Sequence, residues 1–158
     1  MAQGKTNAMR ILDQKNIEYE IITYDNKDGK IDGISVAGKI GKDVSVVYKT
    51  LVTQGNSKEI YVFVIPVKEE LDLKKAAKAA GEKKVEMIAV NDILKLTGYI
   101  RGGCSPVGMK KSYKTFIDAT AKDIEKIVVS GGKIGMQIEI SPKELLSVIR
   151  GEFQDIIK

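Results

Sequence analysis

One lysine, Lys49, stands inside an otherwise apolar run, Val47-Tyr-Lys-Thr-Leu-Val52. Strand alternation puts its side chain on the face of Val47 and Leu51, while Thr50 points the other way with Tyr48 and Val52. A cation on an interior face needs an anionic or polar partner. A cation on an edge strand instead deters pairing with a second molecule, and the residues alone leave both readings open. Two glycine-rich segments carry a further chemical possibility: Thr97-Gly-Tyr-Ile-Arg-Gly-Gly-Cys-Ser-Pro-Val-Gly108 and Val129-Ser-Gly-Gly-Lys-Ile-Gly135. Glycine lets backbone N–H groups approach a ligand and point at an oxyanion or phosphate. The plainer alternative is a pair of tight turns.

The chain contains no histidine. A Ser-His-Asp or Cys-His site therefore lacks its base, a His/Cys zinc site lacks ligands, and His acid–base chemistry is excluded. Lys, Asp/Glu, Tyr, backbone dipoles or the substrate's own groups must do the work, and no metal or cofactor is expected. Cys104, the single cysteine, has no histidine to activate it and reads as a small buried hydrophobe. Gly33-Ile-Ser-Val-Ala-Gly38-Lys39 has the phosphate-loop spacing, but Ile40 replaces the Ser/Thr that holds magnesium. Asp28, Asp32 and Gly33 suggest a calcium loop, yet Lys30 and Lys39 stand where oxygen ligands belong. Both motifs are rejected.

These residues must be positioned by a small scaffold. The 158 residues suit one domain, 1–158, and 43% hydrophobic with 30% charged residues is the balance of a globular chain. No stretch is long and apolar enough to cross a bilayer and no signal peptide is evident, so a cytoplasmic location is expected. The net charge of +5 makes a polyanion a reasonable partner. Thr6 is placed to cap a helix through Asn16, followed by a strand from Tyr19 to Tyr24 and a short helix from Ser35 to Gly41. Val46–Gln54 and Glu59–Pro66 read as a hairpin. Asp72 caps a helix ended by Gly81, and Asn91 caps another ended by Gly98. Thr115–Asp118, Ile127–Ser130 and Met136–Ile140 are strands, and Ser141-Pro142-Lys143-Glu144 opens a last helix running to Arg150, with Gly151 terminating it. The irregular interleaving predicts an α+β fold with a mixed sheet.

Taken together, Val47-Tyr-Lys-Thr-Leu51, Leu71-Asp-Leu-Lys-Lys-Ala76, Lys83-Lys-Val-Glu-Met87, Thr97-Gly-Tyr99, Gly102-Gly-Cys-Ser-Pro106, Lys110-Lys111 and Val129-Ser-Gly-Gly-Lys133 resemble the YbaK/EbsC family of aminoacyl-tRNA deacylases, related to prolyl-tRNA synthetase editing domains. The resemblance implies a mixed or barrel-like sheet with surrounding helices. It also implies release of a mischarged amino acid from the 3′ end of tRNA, cysteine from Cys-tRNA(Pro) foremost, with a prolyl-tRNA synthetase as partner. Lys49 is then the central active-site residue. Tyr24, Thr50, Gly102 and Ser130 fall at pocket positions, with Gly103, Gly131 and Gly132 beside them. The implied chemistry is substrate-assisted, the cysteine thiol attacking its own ester, with Lys49 either anchoring the ribose-phosphate or favouring the thiolate. Gln137 stands where such relatives carry aspartate, so a neutral amide replaces a carboxylate that could pair with the α-ammonium. Asp25–Ile34 matches poorly and lacks an aromatic wall.

Lys74, Lys75 and Lys78 share a helix face, and Lys110 and Lys111 add charge, which makes either a solvated surface or a tRNA-phosphate surface. Two other functions compete: deacylation of another small amino acid such as alanine, and a non-catalytic tRNA- or synthetase-binding or regulatory module.

Overall fold

The computed structural model describes residues 5–158. Thr6 starts α1 (Asn7–Gln14) by accepting the Met9 N–H at 3.2 Å, and the helix buries Ala8, Met9 and Leu12. β1 (Tyr19–Thr23) follows. α2 (Gly33–Ile40) is capped by Asp32, which accepts from the Ser35 N–H, so the near-miss phosphate loop is an ordinary capped helix. β2 (Tyr48–Gly55) and β3 (Ile60–Pro66) form the expected hairpin. Asp72 caps α3 (Leu73–Ala80), and Gly81 closes it at φ 72°. The remaining elements are β4 (Val85–Met87), α4 (Val90–Thr97), β5 (Lys114–Asp118), β6 (Ile127–Lys133), β7 (Met136–Ile140), α5 (Pro142–Val148) and β8 (Arg150–Gln154).

These elements make one α+β domain with two sheets. One has the order β4-β2-β3-β5-β8 and is mixed, because β5 runs parallel to both β3 and β8. The other, β1-β7-β6, is antiparallel. A single parallel bridge, Val47 with Val128, joins them, and the sheets do not close into a barrel. The main core fills the space between α1, α5, β6, β7 and the Tyr48/Val64 face. A second core packs Phe63 and Phe116, stacked at 5.3 Å, under Ala76 and Ala77 of α3. No helix among the described residues is long and apolar enough to cross a membrane.

Three local expectations need correction. α4 begins at Val90, so Asn91 lies inside the helix; the cap position is Ala89, which offers no side-chain acceptor. α5 stops at Val148, and Arg150 opens β8. Gly151 does not terminate a helix: it is paired with Thr115, and a Cβ there would lie 2.7 Å from Leu146 Cδ2. The glycine admits a strand that passes tightly over the end of α5. β4 also escaped expectation, since three residues give too short an alternation to read.

Candidate functional site

β2 is not an edge strand, because it lies between β4 and β3, and ahead of β4 it meets β6 at the Val47–Val128 bridge. The edge-lysine reading of Lys49 therefore fails. Carried two residues beyond this isolated bridge, strand alternation assigns Lys49 and Ser130 to the same face as Val47 and Val128. Ser130 is paired with Gln137, and Gln137 with Ile22. One row across four strands thus reads Lys49, Ser130, Gln137, Ile22. The preceding row is covered by α2, whose Ala37 packs on Val47 and Val128. Tyr24 follows β1 directly, where its N–H donates to Gly135 O at 3.0 Å.

The row is rich in polar groups without protein partners. Among the described residues the Lys49 side chain makes no hydrogen bond or ion pair. Partial burial lowers its pKa, opposed by the charges of Glu70 and Glu69. Gln137 is only 6% exposed, and its amide makes no side-chain hydrogen bond among the described residues. The Tyr24 hydroxyl is buried and unpartnered. Buried polar atoms are normally satisfied, so the unpartnered Tyr24 hydroxyl, near a lysine and a glutamine side chain without protein partners, makes this row a candidate place for a ligand. Thr50 behaves differently. Its side chain turns to the opposite face, where the hydroxyl is also buried without a partner. Its backbone has the parity of Val46, which accepts from Val128, and of Val52, which accepts from Ile88, so its peptide groups face the stretch between β6 and β4.

The two glycine segments meet beside this row. β6 bulges between Ser130 and Lys133, and Gly132 (φ 102°) packs against Tyr99 and Thr6 while its N–H donates to Ser130 Oγ at 3.3 Å. Gly131 fits between Met9 and Ile138. Gly102 (φ 86°) and Gly103 press onto the bulge: a Cβ on Gly103 would lie 2.9 Å from Ile134 N and 3.1 Å from Lys133 Cα. The glycines are turn residues, and the turns are interlocked. Because the obstacle at Gly103 is backbone, Gly103→Ala is expected to destabilise the fold by about 1–3 kcal/mol. A melting temperature equal to that of the wild type would show that the loops are not in contact.

Ile31, Ile134, Ile22 and Lys39 were missed from the sequence. Ile31 and Ile134 lie over Gly102, so aliphatic side chains form the wall for which an aromatic was sought. Lys39 donates to Asp25 O, Asp28 Oδ1 and Lys30 O at 2.7, 2.7 and 3.0 Å, and its ammonium sits 5.8 Å from the Tyr24 ring centroid. It pins the poorly matching Asp25–Ile34 stretch over the site, a role visible only once α2 is folded.

Cys104 is buried among Val52 and Tyr99, and burial pushes its thiol up to about 11, which leaves it protonated near neutrality. Of the lysines expected to meet tRNA, Lys75 is tied to Asp155 at 3.2 Å and to Ile157 O at 2.9 Å. Lys110 donates to Lys95 O at 3.2 Å, whereas Lys74, Lys78 and Lys111 are exposed. A groove of about 1100 Å³ lies at the far end of β2, away from the Lys49 row.

Residues 34–148 match the family described as the aminoacyl-tRNA editing domain. The chain is 47% identical over 154 residues, 98% of its length and 94% of the relative's, to EbsC of Enterococcus faecalis, named as a candidate Cys-tRNA(Pro)/Cys-tRNA(Cys) deacylase. It is 29% identical over 89 residues to a proline–tRNA ligase of Brachyspira hyodysenteriae, covering 56% of this chain and 14% of that longer one. Its fold is shared with the crystal structure of a candidate trans-editing enzyme for prolyl tRNA synthetase, at 22% identity, TM-score 0.84 and 99% coverage of both chains.

Proposed function

From the premise that this chain belongs to the aminoacyl-tRNA editing domain family, we propose that it releases a wrongly attached amino acid, cysteine foremost, from the 3′ end of tRNA, with Lys49 at the centre of the site. The observation that carries the reading is the row Lys49–Ser130–Gln137 beside two interlocked glycine turns. It supplies a cation and neutral hydrogen-bonding groups, but no histidine base.

Such a site favours a nucleophile brought by the substrate. The cysteine thiol, with a free pKa of about 8.5, is the most accessible common nucleophile near neutrality. Its sulfur attacks the ester carbonyl carbon, an S–C bond forms, and the C–O bond to the ribose breaks. The thiol proton ends on the departing ribose oxygen, and water then opens the cyclic thioester to give free cysteine. The protein's part is to hold the ester in place between the glycine turns and set the Lys49 charge near the negative group. Gln137 and Ser130 offer neutral acceptors to the α-amino group.

The test is release of amino acid from tRNAs charged with cysteine, alanine, serine and proline. The expected result is catalysed release of cysteine, unchanged within about twofold in Cys104→Ala because that thiol is buried and protonated. Release of none of the four would overturn the reading in favour of a binding module. Loss of activity in Cys104→Ala would replace the substrate thiol with the protein's own.

A further inference from the structure

The groove at the far end of β2 is bordered by the start of β3, by β4 and α4, and by the starts of β5 and β8. Six basic side chains line it: Lys58, Lys84, Lys95, Lys111, Lys114 and Arg150. Three carboxylates, Glu59, Glu86 and Asp92, also line it. Glu86 is taken by Lys84 at 2.7 Å, and Lys114 leans toward Glu152 at 3.9 Å. Lys58, Lys95 and Lys111 have no carboxylate partner among the described residues, so the groove keeps a positive excess. Its walls are fixed. The Tyr113 hydroxyl donates to Leu96 O at 2.7 Å, and Arg150 donates to Ser112 O at 3.0 Å, which ties the 111–114 loop to α4 on one side and β8 on the other.

The groove lies further along the strand that carries Lys49. Lys49 and Gln54 are two positions of the same strand, about 17 Å apart at roughly 3.4 Å per residue. Five stacking steps of about 3.4 Å, from the first to the sixth nucleotide, span the same length. α4 forms one wall of the groove and ends at Gly98, four residues before Gly102 of the site. A strand of RNA whose last ribose lies at Lys49 therefore reaches the groove near the sixth nucleotide if it follows the strand.

We infer that this groove holds the sugar–phosphate backbone of the acceptor end of the RNA whose 3′ terminus is read at Lys49, in preference to the α3 lysine face. The inference rests on the function proposed above. Repeated phosphates fit cations distributed along a channel, and such contacts position the nucleic acid without reading its sequence. On α3, Lys75 is already held by Asp155 and Ile157, which leaves two exposed ammoniums on a convex helix.

The experiment is fluorescence anisotropy of labelled, uncharged tRNA across a salt series. Three proteins are compared: wild type, Lys95→Glu with Lys111→Glu, and Lys74→Glu with Lys78→Glu, each checked for an unchanged melting curve. The groove variant is expected to bind about tenfold more weakly or worse. The slope of log affinity against log salt should flatten by about 1.4–1.8, from two lost phosphate contacts. The α3 variant should stay within about twofold of wild type. Wild-type affinity and slope in the groove variant would overturn the inference, as would an equal loss in the α3 variant. Binding of polyglutamate but not tRNA by the wild type would assign the groove to an acidic protein instead. Uncharged tRNA requires no turnover, so a failed deacylation screen and a failed groove are separate results.

Discussion

Lys49→Ala is expected to lower kcat for Cys-tRNA by about 100- to 1,000-fold, the scale of removing one preorganised charge-stabilising group, while circular dichroism and the melting temperature show a folded protein. The expectation follows from its position: an ammonium in the first turn-free stretch of an internal strand, partly buried, and without a protein partner among the described residues. Such a charge weakens the fold rather than supporting it. Its lowered pKa means that the unfolded chain holds this proton more tightly, so wild-type stability gains as pH rises toward the ordinary lysine range. The alanine variant lacks that dependence. It should melt at or above the wild-type temperature at neutral pH, with the difference shrinking as the wild-type ammonium discharges. The kinetic split separates two placements of the charge. A fall in kcat with constant KM puts Lys49 at charge that develops in the transition state; a rise in KM alone puts it on the terminal phosphate. Wild-type turnover, or an unfolded variant, would remove Lys49 from the chemistry.

Cys-tRNA is expected to be deacylated at least about a hundredfold faster than Ser-tRNA carrying the same RNA. The two aminoacyl groups differ by one atom, and a pocket that discriminates by size gains only about 1–3 kcal/mol from so small a change. Replacing a thiol of pKa about 8.5 by a hydroxyl that hardly ionises alters the nucleophile itself. After subtraction of uncatalysed release, the rate should climb with pH toward the thiol pKa. It should decline again as Lys49 loses its proton, earlier than a solvated lysine would because burial lowers its pKa. Equal rates for cysteine, serine and alanine would reject the substrate thiol and point to water activated by the protein.

Residue patterns disclosed the parts of this molecule better than their assembly. Thr6, Asp72 and Ser141 each cap the helix they precede, as their positions predict, because a cap depends on atoms within a few residues. The face of Lys49 was readable from alternation alone. What alternation could not give was its neighbours: Ser130 and Gln137 arrive through the Val47–Val128 bridge and the β6–β7 pairing, and parallel pairing across a long chain separation leaves no local signature. The aliphatic wall from Ile31 was hidden for the same reason, since Gly102 and Ile31 belong to distant segments. β8 was concealed by Gly151, which resembles a helix stop unless Leu146 is known to lie against it.

The join between the two sheets bears on how the chain matures during synthesis. Lys49 and its hairpin emerge from a ribosome early and can pair locally, whereas Ser130, Gln137 and the bridge residue Val128 come from the last third of the chain. Pairings between such remote segments close late, because the loop must lose its freedom before the contact rewards it. The cationic strand is thus present long before its reacting centre exists. On the proposed function, a growing polypeptide that has not yet delivered β7 lacks Gln137 and cannot act on charged tRNA.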